Sequence, residues 1–165
     1  MAKSPLQRTK INGGVDRLKR LKPPPPVYVG VVNGRVQVVS RRNKPAPNLS
    51  MGELAAIHEF GAPSVGIPAR SFMRSTLRVQ RKKLNAASAR LIREYIKSKI
   101  THYRASGQLG QIAAQMIQKS FSTSGGSNNE TWEENKPATV AEKGSDKPLM
   151  DTGALRQAIT WEYVK

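Results

Sequence analysis

Cysteine is absent from this 165-residue chain, which excludes a disulfide framework, a thiolate nucleophile and any zinc site built on thiolates. Folding in a reducing cytoplasm is the expectation. Long apolar runs are also missing: no stretch approaches the ~18 residues of a membrane span, and the opening Met1-Ala2-Lys3-Ser4-Pro5-Leu6-Gln7-Arg8 lacks the apolar core of a signal peptide. Neither membrane insertion nor export is expected. Aromatic residues make up 5% of the chain and are not interleaved with the basic ones, so stacking on single-stranded bases has little to use. Acids are scarce as well, with 11 Asp and Glu against 28 Lys and Arg, a formal net charge of +17.

That charge is uneven. Residues 1–44 hold 11 bases and one acid, residues 45–106 hold 11 and three, and residues 107–165 hold six and seven. A positive field over the front two thirds suggests a polyanionic neighbour, either nucleic acid or an acidic protein surface. The length suits one domain with a modest core. Residues 1–26 form a basic, Pro-rich arm, whose Pro23 to Pro26 favour an extended polyproline spacer. Residues 27–165 form the domain.

Periodicity gives the elements. Val27 to Val32, then Asn33-Gly34, then Arg35 to Val39 reads as a β-hairpin with a type I′ turn, Val27, Val29 and Val31 on one face. Ser50 with Glu53 has capping-box spacing and starts a short helix at Met51 that stops at Gly61. From about residue 71 to about residue 103 there is no proline or glycine, and Met73, Leu77, Leu84, Ala87, Leu91 and Tyr95 recur on one face, predicting a single long helix. Gly107 separates it from a second amphipathic helix over Leu109 to Phe121. Residues 122–148 read as an extended loop around Trp132 with a helical turn near Thr139 to Glu142, and Ile159, Trp161 and Tyr163 alternate as a closing strand. The expected fold is α+β: a small antiparallel sheet, hairpin plus C-terminal strand, packed by one long and one shorter amphipathic helix.

Two segments stand out. One is Ile57-His58-Glu59-Phe60-Gly61 followed by Gly66-Ile67-Pro68-Ala69-Arg70-Ser71-Phe72-Met73-Arg74; the other is Lys147-Pro148-Leu149-Met150-Asp151-Thr152-Gly153-Ala154-Leu155. In this order, with helix between them, they resemble the tail-completion (neck, virion-morphogenesis) family of tailed bacteriophages, which reads roughly HEFG…IPARPF and then PLxDTGxL. Matching positions are His58, Glu59, Phe60, Gly61, Pro68, Arg70, Phe72, Asp151, Thr152, Gly153 and Leu155, with Pro137, Thr139 and Lys143 in the loop before the second motif. Ser71 stands where the family has proline. The resemblance implies an α+β subunit forming a homo-oligomeric ring, typically of six, that joins the tail tube or terminator to the head-proximal connector. Its implied partners are sister copies and the tail terminator, tube or head-completion proteins, and its place is the virion neck or tail.

The same residues have other readings. Asp151-Thr152-Gly153 also matches an aspartic-protease signature, but that chemistry needs two carboxylates sharing a proton and further strands after the motif; a helix cap by Asp151 is the plainer expectation. His58 and Glu59 have no second histidine at metal-binding spacing and are expected to hold the turn or a subunit contact, with Phe60 filling the core. No phosphate-cradling loop follows any glycine pair. No catalytic group, metal or cofactor is therefore expected. Arg70, Arg74, Arg78 and Arg81 fall on one face if the helix is continuous, a stripe suited to an acidic subunit surface or DNA phosphates, against a solvated edge as the plain alternative. Lys82, Lys83, Arg90, Arg93, Lys97 and Lys99 read as solvated charge spread around the helix. A sequence-independent DNA-binding protein is the rival to the ring subunit.

Overall fold

Val29 pairs with Trp161 at the centre of a two-stranded antiparallel ladder that joins the two ends of the domain. This computed structural model describes residues 15–16, 18–31, 49–125 and 131–164. In it β1 (Val27–Val31) lies against β2 (Ile159–Tyr163), with Val27 opposite Tyr163 and Val31 opposite Ile159. The period-2 pattern thus puts Val27, Val29, Val31, Ile159, Trp161 and Tyr163 on one face. The hairpin's second strand, residues 35–39, lies outside the described residues.

Helix α1 (Met51–Phe60) starts as its sequence predicts. Ser50 Oγ accepts from the Glu53 N–H at 3.2 Å, and Glu53 Oε2 accepts from the Ser50 N–H at 2.7 Å, satisfying two donors that helix geometry leaves open. A short 3₁₀ turn (Pro63–Val65) follows.

The expected continuous helix is three pieces of chain. Helix α2 (Arg74–Val79) begins only after a folded-back segment, a one-residue irregularity at Gln80 separates it from α3 (Arg81–Ile96), and α3 ends well before residue 103. Ser98 takes a left-handed conformation, φ 55°, and Thr101 Oγ1 accepts from the Arg104 N–H at 3.1 Å. A left-handed serine and a threonine cap do here what glycine or proline does elsewhere. Gly107 is consequently no terminator but an interior residue of α4 (His102–Ser122).

Close packing explains that glycine. A Cβ on Gly107 would come within 2.8 Å of both Trp161 and Tyr163, and one on Gly110 within 2.9 Å of the Trp161 ring. With Ala113 and Ala114, both buried, they form a flat stripe that lets α4 approach the sheet. Gln111 accepts from the Trp161 indole N–H at 3.1 Å, and the Gln118 amide donates to the Ile159 carbonyl at 2.9 Å.

The core lies beside this contact, where Phe72, Ile117, Phe121, Trp132 and Ile159 are almost wholly buried. Phe72 and Phe121 rings sit 4.9 Å apart and Trp132 meets Phe121 edge-on at 6.0 Å. Each such side chain contributes roughly 1.5–3 kcal/mol by burial, so Trp132 anchors the otherwise polar segment after it. That segment leads to α5 (Pro137–Lys143) and then α6 (Ala154–Ala158), which runs straight into β2. The proline stretch before β1 lies on the helices: Tyr95 donates to the Lys22 carbonyl at 2.7 Å and Ser106 to that of Pro25 at 2.5 Å. Among the described residues no helix is long and apolar enough to cross a membrane.

Candidate functional site

Helix α1 buries Met51, Ala55 and Glu59, residues that fall within an arc of roughly 80°, while Phe60 lies about 180° from Met51. Phe60 is therefore not a core residue: it is 61% exposed, with the Arg74 guanidinium 4.3 Å above its ring. Glu59, 1% exposed, takes the inward place, and Phe72 takes the core volume expected of Phe60.

A buried carboxylate is costly unless donors surround it. Glu59 accepts from the backbone N–H groups of Phe72 (2.8 Å), Met73 (2.9 Å) and Arg74 (3.0 Å), from the Ser71 hydroxyl (2.8 Å) and from Arg74 Nε (3.0 Å). Burial pushes its pKa up more than any single other influence; the Met73 and Arg74 amides, Ser71 and the Arg74 side chain together outweigh that and hold it below the ordinary carboxyl value. Glu59 thus serves the start of α2 as a cap supplied from another helix. Ser71 adds a hydroxyl to this hub.

The intervening loop is equally fixed. Gly61 adopts φ 77°, and a Cβ there would fall 2.8 Å from the Ala69 nitrogen, so glycine is required. Ala62 and Ile67 exchange backbone bonds of 2.8 and 3.1 Å, and the Arg70 N–H donates to the His58 carbonyl at 2.7 Å. Arg70 precedes α2 and is 7% exposed. Its guanidinium donates to the Glu133 carbonyl at 2.9 and 3.0 Å and to that of Glu134 at 3.3 Å. The four-arginine stripe does not form, because Arg70 lies outside the helix, Arg74 is paired with Glu59 at 3.0 Å and Gln80 interrupts the turn before Arg81.

The second motif closes the other wall. Lys143, at the end of α5, donates to the carbonyls of Lys147 and, at 3.2 Å, Met150. Burial lowers its pKa, opposed by the charge of Asp151. Asp151 is not the helix cap: Gly153, φ 77°, occupies that position before α6, and Thr152 Oγ1 accepts from the Ala154 N–H at 3.2 Å. Leu155 is buried.

Between these walls lies a cleft of about 480 Å³. Met51, Leu54, Ile67, Pro68, Leu149 and Leu155 supply its apolar lining, and His58, Arg70, Lys143 and Asp151 converge on it. The pKa of His58 is depressed from 6.5 to about 4, chiefly by burial and further by the charges of Arg70 and Lys143. His58 is therefore neutral at pH 7, and its Nδ1 is buried without a partner among the described residues. Of the motif residues, His58, Pro68, Arg70, Asp151, Thr152, Gly153 and Leu155 line this cleft; Glu59, Gly61 and Phe72 fix the backbone behind it, and Phe60 faces outward. Glu59 does hold the turn, as the sequence suggested; its burial was not foreseen, although the Met51, Ala55, Glu59 spacing carried the signal.

Among the described residues no group of three or more His, Cys, Asp and Glu side chains is placed to hold a metal ion. The site offers apolar shape, a neutral imidazole and fixed polar edges, which suit recognition of a surface or segment. No protein-family model, curated protein or solved structure matches the chain.

Proposed function

We propose that the chain is a structural virion subunit of a tailed phage, a ring-forming tail-completion or neck protein that joins the tail tube or terminator to the head-proximal connector. The observation that carries this reading is convergence: two motifs separated by more than seventy residues of sequence form the two walls of one cleft. The resemblance rests on those same segments. Their residues mostly fix backbone: Glu59 caps α2, Arg70 holds the carbonyls of Glu133 and Glu134, and Lys143 holds the loop before Asp151. Phe60 and Arg74 are thereby presented outward on a rigid turn, a large exposed aromatic with a guanidinium above it, which suits a protein contact. In this reading sister copies, six by family likeness, meet through these surfaces around an open bore.

The test is assembly. The full chain is expected to sediment as a closed oligomer, and Phe60→Ser to dissociate it while the separated chain keeps its helix content by circular dichroism, since this ring fills no place in the chain's own core. In particles made without this gene product, separate heads and tails are expected. A chain that stays monomeric at all concentrations, together with normally joined particles in its absence, ends this reading.

A further inference from the structure

Helix α3 runs from Arg81 to Ile96, so Lys99 lies beyond it. Within that frame, at 100° per residue, Lys82, Arg93, Lys97, Arg90 and Lys83 fall at roughly 0°, 20°, 60°, 80° and 100°. These five share one face; Arg81, the remaining base of α3, lies off it at roughly 260°. All five are exposed, and Leu91, the one buried residue of α3, lies about 180° from Lys82. The face therefore points away from α4, on which α3 packs. It runs about 22 Å from Lys82 to Lys97 at 1.5 Å per residue. None of the five pairs with a carboxylate of another described residue. Glu94, at roughly 120°, stands at its margin and is the sole acid of the helix.

We propose that this face of α3 is a binding surface for the phosphate backbone of duplex DNA. Composition favours a duplex over the other polyanions. The residue at the middle of the arc is Ala86, exposed and small, so nothing bulky holds the helix off a groove wall, and a B-form major groove admits a helix. The arc holds no large apolar or aromatic side chain; half-exposed Ile92 and Ile96 lie to one side of it. Protein interfaces are depleted in lysine and enriched in aromatics at their centre, and single strands are gripped by stacking; this face has neither feature. Over the same 22 Å a duplex carries about 13 phosphate charges. Contact is to backbone alone and is blind to sequence. The inference does not depend on the ring reading, since a monomer carries the same face, and assembly is measured by size whereas this is measured by binding.

The experiment uses the full chain and short labelled DNA duplexes of two unrelated sequences, with affinity followed from 50 to 200 mM salt. A variant carrying Lys82→Ala, Lys83→Ala, Arg90→Ala, Arg93→Ala and Lys97→Ala keeps good helix formers at exposed positions; the same five changed to Gln provide a second version. A control removes five exposed bases elsewhere: Arg104→Ala, Lys119→Ala, Lys136→Ala, Lys147→Ala and Arg156→Ala. Equal binding to both sequences is expected for the unaltered chain. The face variants should flatten the slope of log affinity against log salt by about 4.5, at ~0.9 per phosphate contact, and the control by less than about 1. Equal effects of face and control sets would assign binding to net charge and overturn the proposal. So would no duplex binding at 50 mM salt, including the case in which the chain binds a polyglutamate peptide instead.

Discussion

Around the cleft the chain is held by polar groups converging on fixed charges: five donors on Glu59, Arg70 on two carbonyls, Lys143 on two more. Between α4 and the sheet it is held by shape, with Gly107 and Gly110 against the rings of Trp161 and Tyr163 and the side chains of Phe72, Ile117 and Phe121 sealed beneath. The first kind of contact costs much to break and responds to pH; the second responds to volume and is indifferent to protons. A loop with little apolar burial of its own needs its backbone pinned, and buried charge with directional donors does that. A region that only has to hold layers together does so with apolar contact.

The largest effect should come from Glu59→Ala. It leaves the buried amide of Phe72 and the partly buried amides of Met73 and Arg74 without their acceptor, and the contribution of the Arg74 side chain is small because it is 62% exposed. A loss of about 3–5 kcal/mol in urea unfolding is expected, the range for removing one partner of a buried charged network. Glu59→Gln, which keeps one acceptor oxygen, should lose less. If Glu59→Ala melts like the parent, the polar half is not held as described.

Second in size is a pH effect at His58. Its folded pKa is depressed to about 4, so as the pH falls below 6.5 the unfolded chain takes up a proton that the folded chain refuses. The stabilisation is complete above about 6.5 and is lost as the pH falls toward 4. Between pH 7 and pH 5 this amounts to about 2 kcal/mol. Glu59, also depressed, loses its contribution only below the ordinary carboxyl value of 4.5, so the two windows separate. Chemical denaturation at pH 7 and pH 5 should show the parent weakening by that amount and His58→Gln weakening much less. Equal weakening of both would place the acid sensitivity elsewhere.

Much of the fold was legible because it is written in short-range codes. The Ser50 and Glu53 box, the valine alternation of β1, the Ile159, Trp161, Tyr163 alternation of β2 and the α+β class all follow from spacing. What was not legible depended on partners distant in sequence. Phe60 looks like core until helix phase sets it opposite Met51, and Gly107 looks like a terminator until Trp161 is seen against it. Ser98 has no local mark of its left-handed turn, so the break that ends α3 was invisible; the common face of the five bases was not, since 100° per residue gives it in a longer helix too. In the site, residues 58–70 and 143–155 line one cleft, with buried Trp132 and the Arg70 bonds to the Glu133 and Glu134 carbonyls between them, contacts that no local pattern announces.

The smallest expected effect tests the apolar half. Gly110→Ala adds a methyl group within 2.9–3.0 Å of Trp161 Cγ, Cδ2 and Cε3, the root of a ring whose N–H is held by Gln111 and whose strand is fixed by β1. The ring cannot swing aside as a flexible tip could. Overpacking costs roughly 1–3 kcal/mol, and replacing glycine by alanine inside a helix returns about 1; with a ring root that cannot move aside the upper part of that range applies, and a net loss approaching about 2 kcal/mol at most is expected. No titrating group takes part, and that loss should be the same at pH 5 as at pH 7, in contrast to His58→Gln. A Gly110→Ala loss that changes with pH would mean that protonation around the cleft reaches the sheet, and that the two halves melt as one coupled network.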